Sequence, residues 1–397
     1  MLQPVRQVFN QAFSPAQYGA FLESIQNDMP GLLDFRVAET PVFVPKDLGD
    51  KLKQACADIV EVITAPDFKA RTEGAIPADQ RVPNENGHTT FLAVDFAVCR
   101  AADGSLEPQL IELQGFPSLF GFQAYLPEKF RQFYPIPDEV SPLFNGLDRA
   151  AYLDLLRQTI VADCDPEQVI LLEIYPEQQK TRIDFELTRQ YLGVAPVCLT
   201  RIRKDGRKLY YEKDGRRIDI KRIYNRLIFD DLQNYPNLQT EFNLTDDVDV
   251  TWVGHPNWFF RISKYTLPLL ESQFVPQSYF LSDLETPPAD LENYVLKPLF
   301  SFAGAGVKIH VTPADIDAIP ADQRGNFLLQ RKVQYEPVIQ SPDGLVKCEI
   351  RMLLVWPDSA EKPILATNLA RLSRGEMIGV NFNKNKDWVG GTVCFFP

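Results

Sequence analysis

Residues 91–116, FLAVDFAVCRAADGSLEPQLIELQGF, restrict the fold more than any other stretch of the chain. Two apolar runs, at about 91–99 and 109–115, flank Asp103-Gly104, a strong two-residue hairpin signal. With that pair at the centre of the turn, Asp95 faces Glu112, and Gln114 shares the face of Glu112 because side chains alternate along a strand. Two carboxylates directly opposed on a ladder repel each other, and both stand among large apolar neighbours. Something positive has to lie between them. A hard divalent cation that accepts carboxylate and amide oxygens, Mg²⁺ or Mn²⁺, suits the set Asp95, Glu112 and Gln114. A longer loop or a bulge is the alternative, and it would place one acid in solvent.

A second stretch, residues 293–311, NYVLKPLFSFAGAGVKIHV, reads as strand, small-residue loop and strand. Ser301, Gly304, Ala305 and Gly306 supply almost no side-chain bulk, so backbone N–H groups there can close on an anionic ligand beside Lys297. The same pattern equally describes a β-hairpin with a glycine turn. It is neither a GxxxxGK[ST] phosphate loop nor a dinucleotide fingerprint, because only GxG is present and a strand follows.

The 397 residues suffice for two or three domains, and 45% hydrophobic with 24% charged residues is ordinary for a soluble globular protein. A net charge of -12 argues against nucleic acid or an acidic membrane as partner, while leaving small anions open. The six cysteines are scattered without a CxxC pair, as in a reduced protein, and the three histidines lack metal spacing. The first residues carry no apolar signal-like run, and no stretch approaches 18 apolar residues. The expectation is a cytoplasmic, non-membrane protein of unspecified oligomeric state.

Along the chain, helices are expected from Pro15 to about Asp28, over about 46–63 and over 147–161. Residues 150–250 alternate strand and helix, with hairpin turns at Asp205-Gly206 and Asp214-Gly215, and form a small α/β layer. Its cationic run reads as solvated surface, except that Arg222 and Arg226 lie among Tyr224, Leu227, Ile228 and Phe229, so at least one points into a cleft. A helix is expected over 264–272 and a strand over 326–333, NFLLQRKV, which contains Gln330. In LVKCEIRMLLVW, Glu349 and Arg351 share a strand face, and Arg371 precedes a final loop containing Asn381 and Asn383. The fold class is α/β (α+β), divided as 1–149, 150–250 and 251–397.

In their order, these pieces resemble an ATP-grasp enzyme of the glutathionylspermidine synthase-like, circularly permuted branch. VDF…IELQGFPS resembles its metal-binding acids, FRISKYTLPLLESQFVPQSYFL a lysine-bearing segment, and YVLKPLFSFAGAGVKI its second lysine and mobile glycine loop. LLQRKV is similar to the adenine hinge, and LARLSRGE to the late substrate arginine. IDIKRIYNRLIFDDL is similar to a segment of related permuted proteins. The resemblance implies a nucleotide held between two α+β lobes, plus a small βαβ-like preATP-grasp domain. Lys264 and Lys297 would hold the phosphates, Gln330 would meet adenine, and Gly304 and Gly306 would cover the phosphates. Asp95, Glu112 and Gln114 would hold Mg²⁺, and Arg371 would stabilise the transferred phosphoryl group. The chain departs at Gln114, where the family has Asn, and at Ala93, where the synthase has a transition-state arginine that Arg226 or Arg351 would have to replace. The implied activity is ATP-dependent ligation of a small-molecule carboxylate to an amine or thiol through an acyl-phosphate. The alternative is an ATP-binding scaffold or sensor without ligase activity, which Ala93 motivates.

Overall fold

The computed structural model describes residues 1–299, 306–375, 378, 383 and 385–397. It is a mixed α/β protein with several sheets. Its centre is an antiparallel six-stranded sheet in which Gly390–Thr392, Ile364–Ser373, Gly344–Val355, Phe91–Arg100 and Leu106–Gln114 lie side by side, and Ile339–Ser341 pairs with the end of Gly344–Val355. Strand alternation divides this sheet into unlike faces. Leu92, Val94, Phe96 and Val98 pack with Leu48, Leu52, Cys56 and Ile59 of the helix Lys46–Ile63. On the opposite face Phe91 and Ala93 pack with Tyr152 and Leu156 of the helix Arg149–Ile160. Two residues further along the strand, the same face turns charged at Asp95.

Local signals mark several of the helix ends. Ser14 accepts a hydrogen bond from the Gln17 N–H, and Pro15 stands at the first helical position of Pro15–Asp28. The helix Arg182–Leu192 ends at Gly193, whose φ of 80° needs the left-handed region that glycine tolerates. It leads into a parallel sheet ordered Thr251–Val253, Arg222–Asn225, Val169–Glu173, Ala195–Cys198. The residues between carry a small antiparallel sheet, Arg203–Asp205, Lys208–Lys213 and Arg216–Ile220. A third antiparallel layer, Ser278–Phe280, Phe327–Arg331 and Tyr294–Pro298, covers the charged side of the central sheet through Lys297.

Two expected elements differ. Residues 264–272 do not form an α-helix; Asn257–Arg261 is helical, and Lys264–Leu269 is a 3₁₀ turn containing Pro268, which removes a backbone donor. Residues 307–311 make only one bridge, Leu296 to Lys308, rather than a strand. No helix among the described residues is long and apolar enough to cross a membrane.

Candidate functional site

The hairpin reaches the expected facing of its two acids by an unexpected route. Its loop runs over residues 101–105, with the Ala101 and Ser105 backbone paired and Arg100 opposite Leu106, so it is longer than a two-residue turn. A bulge then intervenes between the pairs Phe96–Leu110 and Asp95–Glu112. The bulge lets Leu110 and Glu112 point to opposite faces although both are even-numbered. It also frees the Ile111 carbonyl, which accepts a hydrogen bond from Lys297 Nζ at 3.2 Å.

The cations between the acids are guanidinium groups. Arg351 is the direct cross-strand partner of Asp95 on the other side. Its Nε and Nη2 each donate to an Asp95 oxygen at 2.6 Å, and Arg371 Nη2 donates to Asp95 Oδ2 at 2.8 Å. Arg371 also pairs with Glu349, whose other oxygen accepts from the Tyr335 hydroxyl at 2.7 Å. Arg351 Nη2 lies 3.9 Å from Glu112 Oε1. Burial alone would raise the Asp95 carboxyl, but Arg351 and Arg371 outweigh it and hold the group below its usual range. Glu349 is shifted the other way, because burial and the neighbouring Asp95 charge exceed the pull of Arg371. Burial works against the charge of Arg371, yet Glu349, Asp95 and Glu112 keep it firmly cationic.

Lys297 enters this face from the covering layer. Its Nζ donates to Gln330 Oε1 at 2.6 Å, and burial pushes its ammonium down to about 8 against the attraction of Glu112. Lys264 is buried at the start of its 3₁₀ turn and is likewise lowered by burial, with Glu112 and Asp230 opposing. Gln330 Nε2 and Arg371 Nε are buried without a hydrogen-bond partner. Such orphan donors mark where a ligand's acceptors would be most strongly favoured. Gly306 has φ of +70° and lies where a Cβ would come within 2.9 Å of Pro298 Cγ, so only glycine suits that approach. Ser301, Gly304 and Ala305 of the expected cover, and Asn381 of the final loop, fall outside the described residues.

The donor set admits a divalent ion at one edge only. Asp95 has no exposed surface, and both of its oxygens are committed to guanidinium groups, so it does not fit as a metal ligand here. Glu112 and Gln114 are half-buried on the edge strand, with Gln114 Nε2 donating to Glu112 Oε1 at 2.8 Å. Two such oxygen ligands suit a magnesium ion that keeps waters and takes phosphate oxygens. Among the described residues no three His, Cys, Asp or Glu side chains gather as a metal site.

Arg226 belongs to a second group of charges, at the carboxyl end of the parallel sheet. It donates to the Pro117 carbonyl at 2.6 Å and lies 4.8 Å over the Phe116 ring, while its Nε is buried without a partner. It faces Glu173, which burial pushes up to about 8, and Asp231, which burial also raises. Asn225 beside it is buried with Nδ2 unpartnered. Arg222, by contrast, donates to the carbonyls of Thr159 and Ile160 and ties down a helix end. Glu173, Asp231 and Tyr335 carry no motif signal in the sequence, whereas Glu349 stands out as a charge interrupting an apolar strand.

No protein-family model matches the chain, and no curated protein matches it. A solved structure does. The glutathione synthetase-like effector GSS30 from Globodera pallida, in its apo form, superposes with a TM-score of 0.59 at 10% sequence identity. The match covers 98% of this chain and 97% of that one. The likeness is one of fold, and it extends over the whole chain.

Proposed function

We propose that this protein is an ATP-dependent ligase of the ATP-grasp type, joining a small carboxylate to an amine or thiol through an acyl-phosphate. One observation carries the reading: Lys297, Lys264, Arg351 and Arg371 surround the Glu112 edge of the sheet, with the orphan donors of Gln330 and Arg371 among them. The whole-chain likeness in fold to a glutathione synthetase-like protein is in keeping with it. The circularly permuted arrangement, with the nucleotide between two α+β lobes, belongs to this proposal.

In this reading the substrate carboxylate attacks the γ-phosphorus of ATP, ADP leaves, and the acyl-phosphate carbonyl is then attacked by the amine or thiol with loss of phosphate. Lys297 and Lys264 hold phosphate oxygens, Gln330 meets the base, and Arg371 with Arg351 offsets charge that builds on the transferred group. Glu112 and Gln114 would hold Mg²⁺ or Mn²⁺, which supplies further charge compensation at the phosphates. Positioning and electrostatics suffice for such a step without a protein nucleophile.

A second reading, a nucleotide-binding scaffold or sensor, is favoured by Ala93. Its position opposite Gln114 and Leu353 is fully buried in apolar packing, so no cation reaches the site from there. Incubation with Mg·ATP and a panel of amino acids, polyamines and thiol peptides, with ADP and phosphate measured, separates the two. Substrate-dependent release of both products supports the ligase; nucleotide binding with no turnover across the panel supports the scaffold.

A further inference from the structure

We propose that Asp95 is a positioning residue for a two-arginine fork, and that Arg351 and Arg371 bind a phosphoryl group of the ligand with no divalent ion between that group and Asp95. The proposal deepens the nucleotide-site reading above, but it can be tested apart from ATP turnover.

The geometry is that of a holder rather than a metal ligand. Asp95 is fully buried and accepts three guanidinium N–H bonds at 2.6, 2.6 and 2.8 Å. An ion arriving from solvent would have to displace two arginines to reach it. The bonds to Asp95 use Nε and Nη2 of Arg351, which fixes the plane of that guanidinium as a bidentate pair does. Arg371 is fixed from two sides, by Asp95 and by Glu349, and the Tyr335 hydroxyl in turn holds Glu349. Two arginines so braced lose little freedom when they take up a ligand. Arg371 keeps a side chain 37% exposed and a buried Nε without a partner, so it reaches towards the ligand side. Lys297 and Lys264, both sensitive to the Glu112 charge, bring two more cations to the same edge. That concentration of donors suits the three oxygens of a phosphoryl group better than a single carboxylate.

The test uses the full chain and inorganic pyrophosphate in excess EDTA, followed by calorimetry, with malonate as a carboxylate control. Pyrophosphate is expected to bind without divalent metal, and Asp95→Asn and Arg371→Gln are each expected to weaken it about tenfold or more. Mn²⁺ titrated alone and followed by electron paramagnetic resonance should show equal affinity for wild type and Asp95→Asn. Pyrophosphate binding that requires Mg²⁺ would overturn the proposal, as would Asp95→Asn losing Mn²⁺ affinity while keeping pyrophosphate affinity. Malonate binding more tightly than pyrophosphate would assign the fork to a carboxylate and overturn it too. If circular dichroism shows Asp95→Asn unfolded, the more exposed Arg371→Gln decides by the same pyrophosphate criterion. Metal-free pyrophosphate binding together with no ATP turnover on any substrate would remove the ligase reading and leave the fork standing.

Discussion

Glu173 shows at the scale of one residue how burial and charge compete in this molecule. It is 5% exposed at the end of the strand Val169–Glu173, accepts the Ile174 N–H at 2.8 Å, and faces Arg226. Burial nevertheless dominates and lifts its carboxyl from 4.5 to about 8. The folded state therefore keeps a proton that the unfolded chain releases, and stability falls as pH rises from about 4.5 to about 8. Glu173→Gln should leave stability unchanged at or below about pH 4.5 and raise it above pH 8, by on the order of a few kcal/mol, with a corresponding rise in melting temperature. Thermal melts of both proteins across that range check it; equal melting temperatures at pH 8.5 would mean that the acid is charged and paired. Asp95 behaves oppositely because two arginines touch it, where Glu173 has one arginine and a single backbone N–H.

At the scale of elements, the hairpin and its bulge organise the site. The bulge gives Lys297 a carbonyl at Ile111 and so ties the covering layer to the central sheet. Deleting Ile111 should keep Asp95 opposite Glu112, since the ladder between Phe91–Arg100 and Leu106–Gln114 then runs without interruption, while removing that tie. The expected outcome is a retained circular dichroism spectrum with nucleotide affinity lowered roughly tenfold, the value of a hydrogen bond to a charged group. Unchanged affinity would show that the bulge serves packing alone.

Much of this was legible beforehand. Ser14-Pro15 and the apolar spacing of 46–63 set two helices at their observed bounds, because caps and periodicity are local. The facing of Asp95 and Glu112 was legible as well, although a longer loop and a bulge together produced it. What lies between the acids was not. Arg351 and Arg371 are more than 250 residues away in sequence from Asp95, and only the order of strands in the sheet brings them there. The 3₁₀ turn at Lys264 is not legible in the sequence, because apolar spacing continues through Pro268 while hydrogen bonding does not.

At the scale of the whole molecule, the central sheet carries apolar packing and charge chemistry on one face, with the change between Ala93 and Asp95. The helix Arg149–Ile160 covers the apolar half and the layer bearing Lys297 and Gln330 covers the charged half. Burial of Asp95 and Glu349 gives electrostatic positioning there more weight than it would have in water. In the proposed function the Glu112 edge of the sheet receives the phosphates of ATP. Calorimetric titration of Mg·ATP into wild type and Lys297→Ala tests it most directly. Binding by the wild type, weakened about tenfold or more by the substitution, is the predicted result; no binding by the wild type, or equal binding by both proteins, would contradict it.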